Sequence, residues 1–366
     1  MNTFVSVTGI LVVVVCSTRV TASPSVTQLS SEPPQTAMNE HFLLGPPQDD
    51  GPVVVRASFQ IHDINNINDE EETLEFSGVL TLKWHDKRQA FDPAAVGVNE
   101  KIYQGNYQFN EIYSGWFPEV VLVNESGLYE KNGVVLRVES DGTQTLIQTV
   151  NAVAKVELGM WRFPFDRQRL EIVFEVLGFD LDEVVMQVDP QAEGSSNDEA
   201  RIPQWTFTEV GLSIRERPAP YAGRRGVTTS LVVSVDAKRR PFFIVRLVMI
   251  PLAVIVLLSF SVFWMDRSSL GDRISVSFIG ILTCVAYQIV MAEFLPHISY
   301  FTLMNGFLNL SFLTMCATVV VNLVVGALDQ KGKHEVGNRV DHRCRWIFPL
   351  TYFGLNLVMA GAAFTF

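Results

Sequence analysis

Four long apolar runs after residue 240 constrain the fold of this chain more than any other feature. They occupy residues 241–264, 274–292, about 301–327 and 346–366. Each reaches the roughly 20 residues that a helix needs to span the hydrocarbon core of a bilayer. Most charged residues precede Arg246, and this asymmetry separates a water-facing part from a membrane part. The sequence therefore predicts four transmembrane helices.

The residues around these runs predict their orientation. Residues 1–22 are typical of a secretory signal peptide, with an apolar core and small residues before a cleavage point after Ala22. Cleavage would leave the following domain and the carboxyl terminus on the extracellular or periplasmic side of the cell (inner) membrane. The connection between the third and fourth runs should be cytoplasmic by the positive-inside rule, because it carries Lys331, Lys333, Arg339, Arg343 and Arg345. A basic cluster at residues 238–240 lies on the outer side and requires a structural partner.

The second run, extended to residues 272–293, differs from a helix that faces only lipid. At about 100° per residue, one stripe begins and ends with an acid and carries small polar and apolar side chains between them. Several copies around an axis would form acidic rings, which favour cations, and apolar rings, which can gate by dewetting. The alternative is ordinary charge at helix ends, with the stripe packed against neighbouring helices. The stripe consists of Asp272, Ser275, Ile279, Leu282, Ala286, Ile289 and Glu293.

The amino-terminal half contains short alternating segments separated by turn residues, as in ESDGT and RPAPYAGRRG. Without a sustained helical period, this pattern predicts an all-β sandwich of about ten strands over residues 51–240. Residues 23–50 are rich in Pro, Ser and Gln and predict a flexible leader. We therefore expect a signal peptide, a leader, an extracellular β-sandwich and a four-helix domain over residues 241–366.

Several functions are disfavoured by the sequence. A net charge of −11 argues against nucleic-acid binding, since phosphates require basic surfaces. The chain lacks the nucleophile-elbow, zinc-helix, phosphate-loop and dinucleotide-binding patterns. Its histidines are scattered singly, and its four cysteines have no metal-ligand spacing. We expect no catalytic residues, no cofactor and no metal site.

Seven short motifs follow one another between residues 50 and 366. They are WHD at 84–86, WFP at 116–118, FPFD at 163–166, RRPFF before the first span, Pro251 within it, LPHISY after the second and RCRWIFPL opening the fourth. Together they resemble the pentameric ligand-gated ion channels, the nicotinic-receptor-like family. The bacterial branch is most similar, because the two positions of the family's loop disulfide hold Val156 and Leu170. The short connection between the third and fourth spans also suits that branch.

The resemblance implies how the two halves communicate. The FPFD turn would rest on the linker between the second and third helices. Asp166 would pair with Arg239 near a turn at residues 62–67, which would give the basic cluster its partner. The alternative is that Asp166 only caps its own turn. The residues expected to couple the halves are Phe163, Pro164, Phe165, Asp166, Arg239, Pro296 and His297.

The agonist pocket departs from the family pattern. Amine-gated members surround a cation with aromatic rings, whereas the matching positions here are Val79, Val123, Leu177, Phe179 and Tyr221. The four arginines around Tyr221 (215, 217, 224 and 225) would repel an ammonium ligand, unless they form only a solvated hairpin tip. Some bacterial relatives respond to pH. Candidate titrating groups are His62, His85, His297 and the acids at 69–72, each of which could also be passive.

The sequence thus predicts a homopentameric, cation-selective channel that conducts monovalent cations across the lipid bilayer. A small molecule or protons would open it through the β-sandwich. Asp272 and Glu293 are the expected selectivity residues, and Ser275 the inner narrowing. The expected gate is formed by Ile279, Leu282, Ala286 and Ile289. The alternative is a membrane-anchored extracellular binding or sensory protein that does not conduct.

Overall fold

A computed structural model describes residues 44–47, 51–191, 202–265, 270–293, 295–296 and 299–365 of the chain. The predicted signal peptide, most of the predicted leader and His297 lie outside the described residues. Within them, ten β-strands precede four long helices. The predicted fold class, a β-sandwich followed by a four-helix membrane part, is confirmed.

The strands form a sandwich of two sheets. They are β1 Val53–Asn68, β2 Thr73–His85, β3 Glu100–Gln104, β4 Val120–Leu122, β5 Glu125–Glu139, β6 Thr143–Lys155, β7 Arg167–Val176, β8 Val184–Val188, β9 Trp205–Pro218 and β10 Val227–Arg239. One sheet has the order β3-β5-β6-β2-β1-β8 and the other the order β4-β7-β10-β9. β8 joins β1 in parallel, and the other described pairings are antiparallel.

Alternating side chains place the core between the two sheets. In β2 every second side chain from Leu74 to Leu82 is buried. Phe59 of β1 and Phe174 of β7 belong to opposite sheets, and their ring centroids lie 5.0 Å apart. Val156 and Leu170, the two positions that the resemblance assigns to a loop disulfide, are both buried, so apolar packing occupies them. The scaffold is therefore closed by hydrophobic contact.

Short helical turns occur between strands in the described part of the sandwich. The strand pattern did not predict these turns. They cover Lys87–Gln89, Pro93–Val96 and residues 105–112. Aspartates cap the first two turns, because Asp86 accepts from the Arg88 amide at 3.0 Å and Asp92 from the Ala94 amide at 2.9 Å.

The four long helices are α1 Phe242–Trp264, α2 Leu270–Ala292, α3 Leu303–Gln330 and α4 His334–Thr365. Each is long and apolar enough to cross a membrane. α4 begins at His334, whereas the apolar run begins at residue 346. Gly332, at φ +74°, ends the preceding turn. The helix then continues without a proline through the polar residues before the apolar run.

A hydroxyl of α2 satisfies a backbone carbonyl that a proline leaves free in α1. Pro251 has no N–H to donate to the carbonyl of Leu247, four residues earlier. The helix is locally widened over Val245–Met249. Tyr287 of α2 donates its hydroxyl to the Leu247 carbonyl, and the Val248 carbonyl is 3.3 Å from the same oxygen. This bond fixes how α2 is rotated against α1.

Candidate pore and gating interface

One face of α2 is exposed in the single chain, and the opposite face is buried. Arg273, Ser277, Cys284 and Met291 are buried on the packed face. All seven residues of the predicted stripe are exposed. Leu282, at 70% exposure, and Ile289, at 68%, are among the most exposed large apolar side chains of the chain. A contiguous apolar face of this kind is available to lipid or to other copies of the chain.

The two acids of the stripe lie at opposite ends of α2. Asp272 occupies the first turn, where the helix dipole favours a negative charge. Glu293 follows the last helical residue, Ala292, so it lies just outside the helix. Ser275, one turn inside the helix from Asp272, donates to the Gly271 carbonyl at 2.8 Å. Its hydroxyl is thus satisfied within the helix.

Arg239, the last residue of β10, lies buried at the junction between the sandwich and the helices. Its Nε donates to Oδ1 of Asp166 at 2.9 Å. Its Nη1 and Nη2 donate to the two carboxylate oxygens of Asp69 at 2.7 and 2.8 Å. The guanidinium carbon lies 4.1 Å from the ring centroid of Trp205 and 5.0 Å from that of Phe163. Two carboxylates and two aromatic faces therefore hold one buried cation.

The two carboxylates stabilise the charged form of Arg239. Burial lowers the pKa of Arg239, but the hydrogen bonds and charges of Asp69 and Asp166 outweigh that effect and raise it above its usual range. Gln168 donates to the second oxygen of Asp166 at 2.6 Å. Asp166 therefore contacts a distant arginine and does more than cap its own turn.

The predicted turn at residues 62–67 is wrong. These residues belong to β1, which continues to Asn68 because two bulges keep Ile64 and Ile67 facing the core. The turn lies at residues 69–72, and its first residue, Asp69, is the second acidic partner of Arg239. Asp69 was not among the residues predicted to couple the two halves.

Residues just before the FPFD turn make the contacts with the linker that leads into α3. The Tyr300 hydroxyl accepts from the Met160 amide at 2.8 Å and donates to the Leu158 carbonyl at 3.0 Å. The Tyr300 ring stacks on Trp161 with centroids 4.5 Å apart. The Leu303 amide donates to the Trp161 carbonyl at 3.0 Å. Sequence reasoning placed this contact on the FPFD aromatics and missed Met160 and Trp161.

The FPFD residues have other neighbours. The Phe163–Pro164 peptide bond is cis, and Phe163 packs against the Arg239 guanidinium. Phe165 meets Phe364 of α4 edge to face, with centroids 6.1 Å apart. Pro296 lines a small cavity of about 140 Å³ together with Phe163, Arg239 and Asp69. The structure therefore brings Pro296 beside the charged cluster.

The five residues predicted near an agonist lie on two different sheets. Val79 of β2 faces outward from the six-stranded sheet, because its neighbours Gly78 and Leu80 are buried. The other four lie along the four-stranded sheet and its loops: Val123, Leu177, Phe179 and Tyr221. A single chain does not gather all five.

Acidic partners offset much of the positive charge around Tyr221. Glu175 is buried and accepts the Tyr221 hydroxyl. The expected repulsion of an ammonium ligand is thus weaker than the arginine count suggested, and Glu175 was not among the predicted site residues. Arg215 pairs with Glu171 at 2.9 Å, Arg217 with Glu175 at 3.1 Å and Arg225 with Asp182 at 2.8 Å.

Asp180 anchors the hairpin between β9 and β10. One carboxylate oxygen accepts from the amides of Arg225 and Arg224 at 2.9 and 2.7 Å. Gly223 has φ +46°, and a Cβ there would collide with this carboxylate. Hydrogen bonds from backbone amides lower the pKa of Asp180. The amide of Arg225 has the largest effect, and the amide of Asp182 has the next largest.

We expect Asp180→Asn to lower the Tm of the protein at neutral pH. Because the folded pKa is lowered, the charged carboxylate stabilises the fold above the unfolded aspartate pKa. That stabilisation is lost as pH falls through the folded pKa, so wild type and variant should converge in acid. Thermal unfolding across pH checks this, with Asp182→Asn at an exposed salt bridge as control. A Tm difference that persists unchanged at low pH would contradict it.

Comparison with known proteins is consistent with this geometry. A family model described as the neurotransmitter-gated ion-channel ligand binding domain matches residues 38–241. The proton-gated ion channel of Gloeobacter violaceus is 25% identical over 321 residues, which cover 88% of this chain and 86% of the relative.

Receptor subunits from animals are also similar to this chain. The rat acetylcholine receptor subunit beta is 24% identical over 308 residues, or 77% of this chain and 57% of the relative. The human gamma-aminobutyric acid receptor subunit rho-2 is 24% identical over 333 residues, or 88% and 68% respectively. The match thus extends over little more than half the length of the acetylcholine receptor subunit.

Proposed function

Because this chain belongs to the neurotransmitter-gated ion-channel family, we propose that five copies form a cation channel in the cell (inner) membrane. A stimulus acting on the extracellular β-sandwich opens the pore, which α2 lines. One observation carries the proposal. The exposed face of α2 is apolar from Ile279 to Ile289 and has an exposed acid at each end.

The charges of α2 favour cations. Arg273 is the one basic residue of Leu270–Ala292, and its side chain is buried on the face away from the stripe. Asp272 and Glu293 remain exposed. Around an axis, the stripe would therefore present negative rings at both mouths, with Ser275 forming the inner narrowing. A membrane anchor that does not conduct gains nothing from this pattern.

Between the acids, Ile279, Leu282, Ala286 and Ile289 form the proposed gate. Rings of such side chains exclude water when the pore is narrow, and ions cannot cross a dewetted segment. Opening would require these rings to widen or to turn away. The gate therefore depends on how α2 is held by α1 and by the linker after α2.

The proposed coupling path runs through Arg239. Its cluster joins β10 to the β1–β2 turn and the FPFD turn, and Pro296 lines the cavity beside it. Trp161 and Tyr300 form a second contact between the sandwich and the membrane part. A shift of the sandwich would thus reach the linker between α2 and α3 by two routes.

The stimulus belongs to one of two classes. A small molecule would bind where neighbouring subunits bring the outward face of β2, with Val79, against the β9–β10 hairpin, with Tyr221. Protons are the second class, since one relative is named as proton-gated. Hydrogen bonds from backbone amides lower the pKa of Asp180, and burial raises the pKa of Tyr113 of the β-sandwich, so both groups titrate away from neutrality. The exposed His62 and His85 are the better candidates.

Reversal potentials in planar bilayers test the proposal. Across a KCl gradient, the purified protein should pass current that reverses near the Nernst potential of K⁺. Neutralising the rings with Asp272→Asn and Glu293→Gln should move the reversal potential toward zero, because the attraction for cations is lost. Glu335→Gln, at an exposed acid of α4 outside the stripe, is the matched control.

Two outcomes would contradict the proposal. Reversal near the Nernst potential of chloride would overturn cation selectivity. Absence of current over a range of pH and small-molecule stimuli would favour the non-conducting binding protein.

A further inference from the structure

We propose that Asp341 of α4 is a positioning residue for ion selectivity, which holds the charge of Arg273 away from the pore mouth. The inference rests on the proposed cation channel. Asp341 lies on the part of α4 that precedes the apolar run. Neither the stripe nor the motifs pointed to it.

The geometry is that of a closed, bidentate ion pair. Nη1 of Arg273 donates to Oδ2 of Asp341 at 3.0 Å, and Nη2 donates to Oδ1 at 2.9 Å. Nη2 also donates to the side-chain oxygen of Asn322 on α3 at 3.1 Å. Arg273 and Asp341 are both buried. Paired donors and acceptors of this kind fix the direction of a guanidinium.

A second set of bonds completes the network. The amide nitrogen of Asn322 donates to the Ser277 hydroxyl at 2.8 Å, and that hydroxyl donates to the Arg273 carbonyl at 2.9 Å. The network therefore joins α2, α3 and α4 at the end of α2 that carries Asp272. Its members lie on the face of α2 opposite the proposed pore.

The consequence is electrostatic. Asp272 and Arg273 are adjacent, so five subunits place five negative and five positive charges at the same mouth. Asp341 neutralises the positive set and keeps it buried, which leaves Asp272 to act on permeating ions. Without Asp341, a buried guanidinium would be uncompensated. The long Arg273 side chain would extend toward the water at this end of the pore. Its positive charge would there counteract the negative charge of Asp272.

Reversal potentials and single-channel amplitudes of Asp341→Asn, Arg273→Gln and the double variant test this role. Asp341→Asn should lower the ratio of cation to anion permeability and the cation current by at least about twofold, because the local potential becomes less negative. The double variant should restore the permeability ratio and the cation current toward wild type, because the positive charge of Arg273 is then absent. A role limited to folding would change the amount of assembled protein but would leave the permeability ratio of the assembled channels at its wild-type value.

The outcomes separate the two proposals. Wild-type protein that is not cation-selective overturns the proposed function. Selective wild type with an unchanged Asp341→Asn variant, or a double variant as impaired as the single one, overturns only the role of Asp341. If Asp341→Asn alone does not assemble, tagged variant chains can be purified with wild-type chains in mixed pentamers. Discrete lower amplitudes are then expected, and a single wild-type amplitude overturns the role.

Discussion

Replacing Arg239 with glutamine is expected to abolish opening by the sandwich and to cost about 3–5 kcal/mol of folding stability. The substitution leaves the buried carboxylate of Asp166, and the carboxylate of Asp69, without the cation that they share. It also removes the charge that Trp205 and Phe163 contact. Thermal unfolding measures the first effect, and stimulus-evoked current of assembled protein measures the second.

Arg240→Gln is the matched control. Arg240 is the next residue along the chain, but it is exposed, and among the contacts described its side chain donates only to the Thr206 hydroxyl, at 2.8 Å. Its loss should change stability by little.

Asp166→Ala is the milder test of coupling, because Asp69 still holds the arginine. Assembly should survive and gating should be impaired. A normal activation curve in Asp166→Ala would remove the cluster from the gating path.

Leu282→Ser is expected to open the channel without a stimulus, or to lower the stimulus required by at least about tenfold. Burial of a leucine side chain is worth about 1.5–3 kcal/mol, and a difference of about 1.4 kcal/mol changes an equilibrium tenfold. Leu282 is 70% exposed in the single chain, and in the proposed pentamer a closed pore would cover five copies of it. A serine ring would hold water and lose the drive to close.

Resting current and the midpoint of the activation curve measure this effect. Leu357→Ser on α4 is the control, because that leucine is 75% exposed but lies on another helix. It should leave the midpoint unchanged. If Leu282→Ser opened normally, or required a stronger stimulus than wild type, Leu282 would not belong to the gate.

The features that the sequence predicted are those that depend on local pattern. Strand alternation and long apolar runs determine the layers of the fold, because each buries one face or spans one bilayer. The contact between Asp166 and Arg239 could also be predicted from the sequence. A basic cluster on the outer side of the membrane required a partner, and the motifs supplied one.

The features that the sequence did not predict depend on strand register and on contacts between residues that lie far apart in the chain. Asp69 joins the cluster only because two bulges extend β1 to Asn68, and bulges leave no clear signal in one strand alone. Arg217 meets Glu175 across β9, β10 and β7, which requires the register of three strands. Asp341 was not predicted as a site residue, because the local sequence of α4 does not reveal a buried partner that lies 68 positions earlier.

The hydrogen bond between Tyr287 and the carbonyl beneath Pro251 limits how the channel can work mechanically. If this bond is kept, α2 cannot rotate about its own axis relative to α1. The proposed pore should then widen by a tilt of α2 in which α1 moves with it. Pro251 would be the hinge of this movement, in the helix that begins three residues after Arg239.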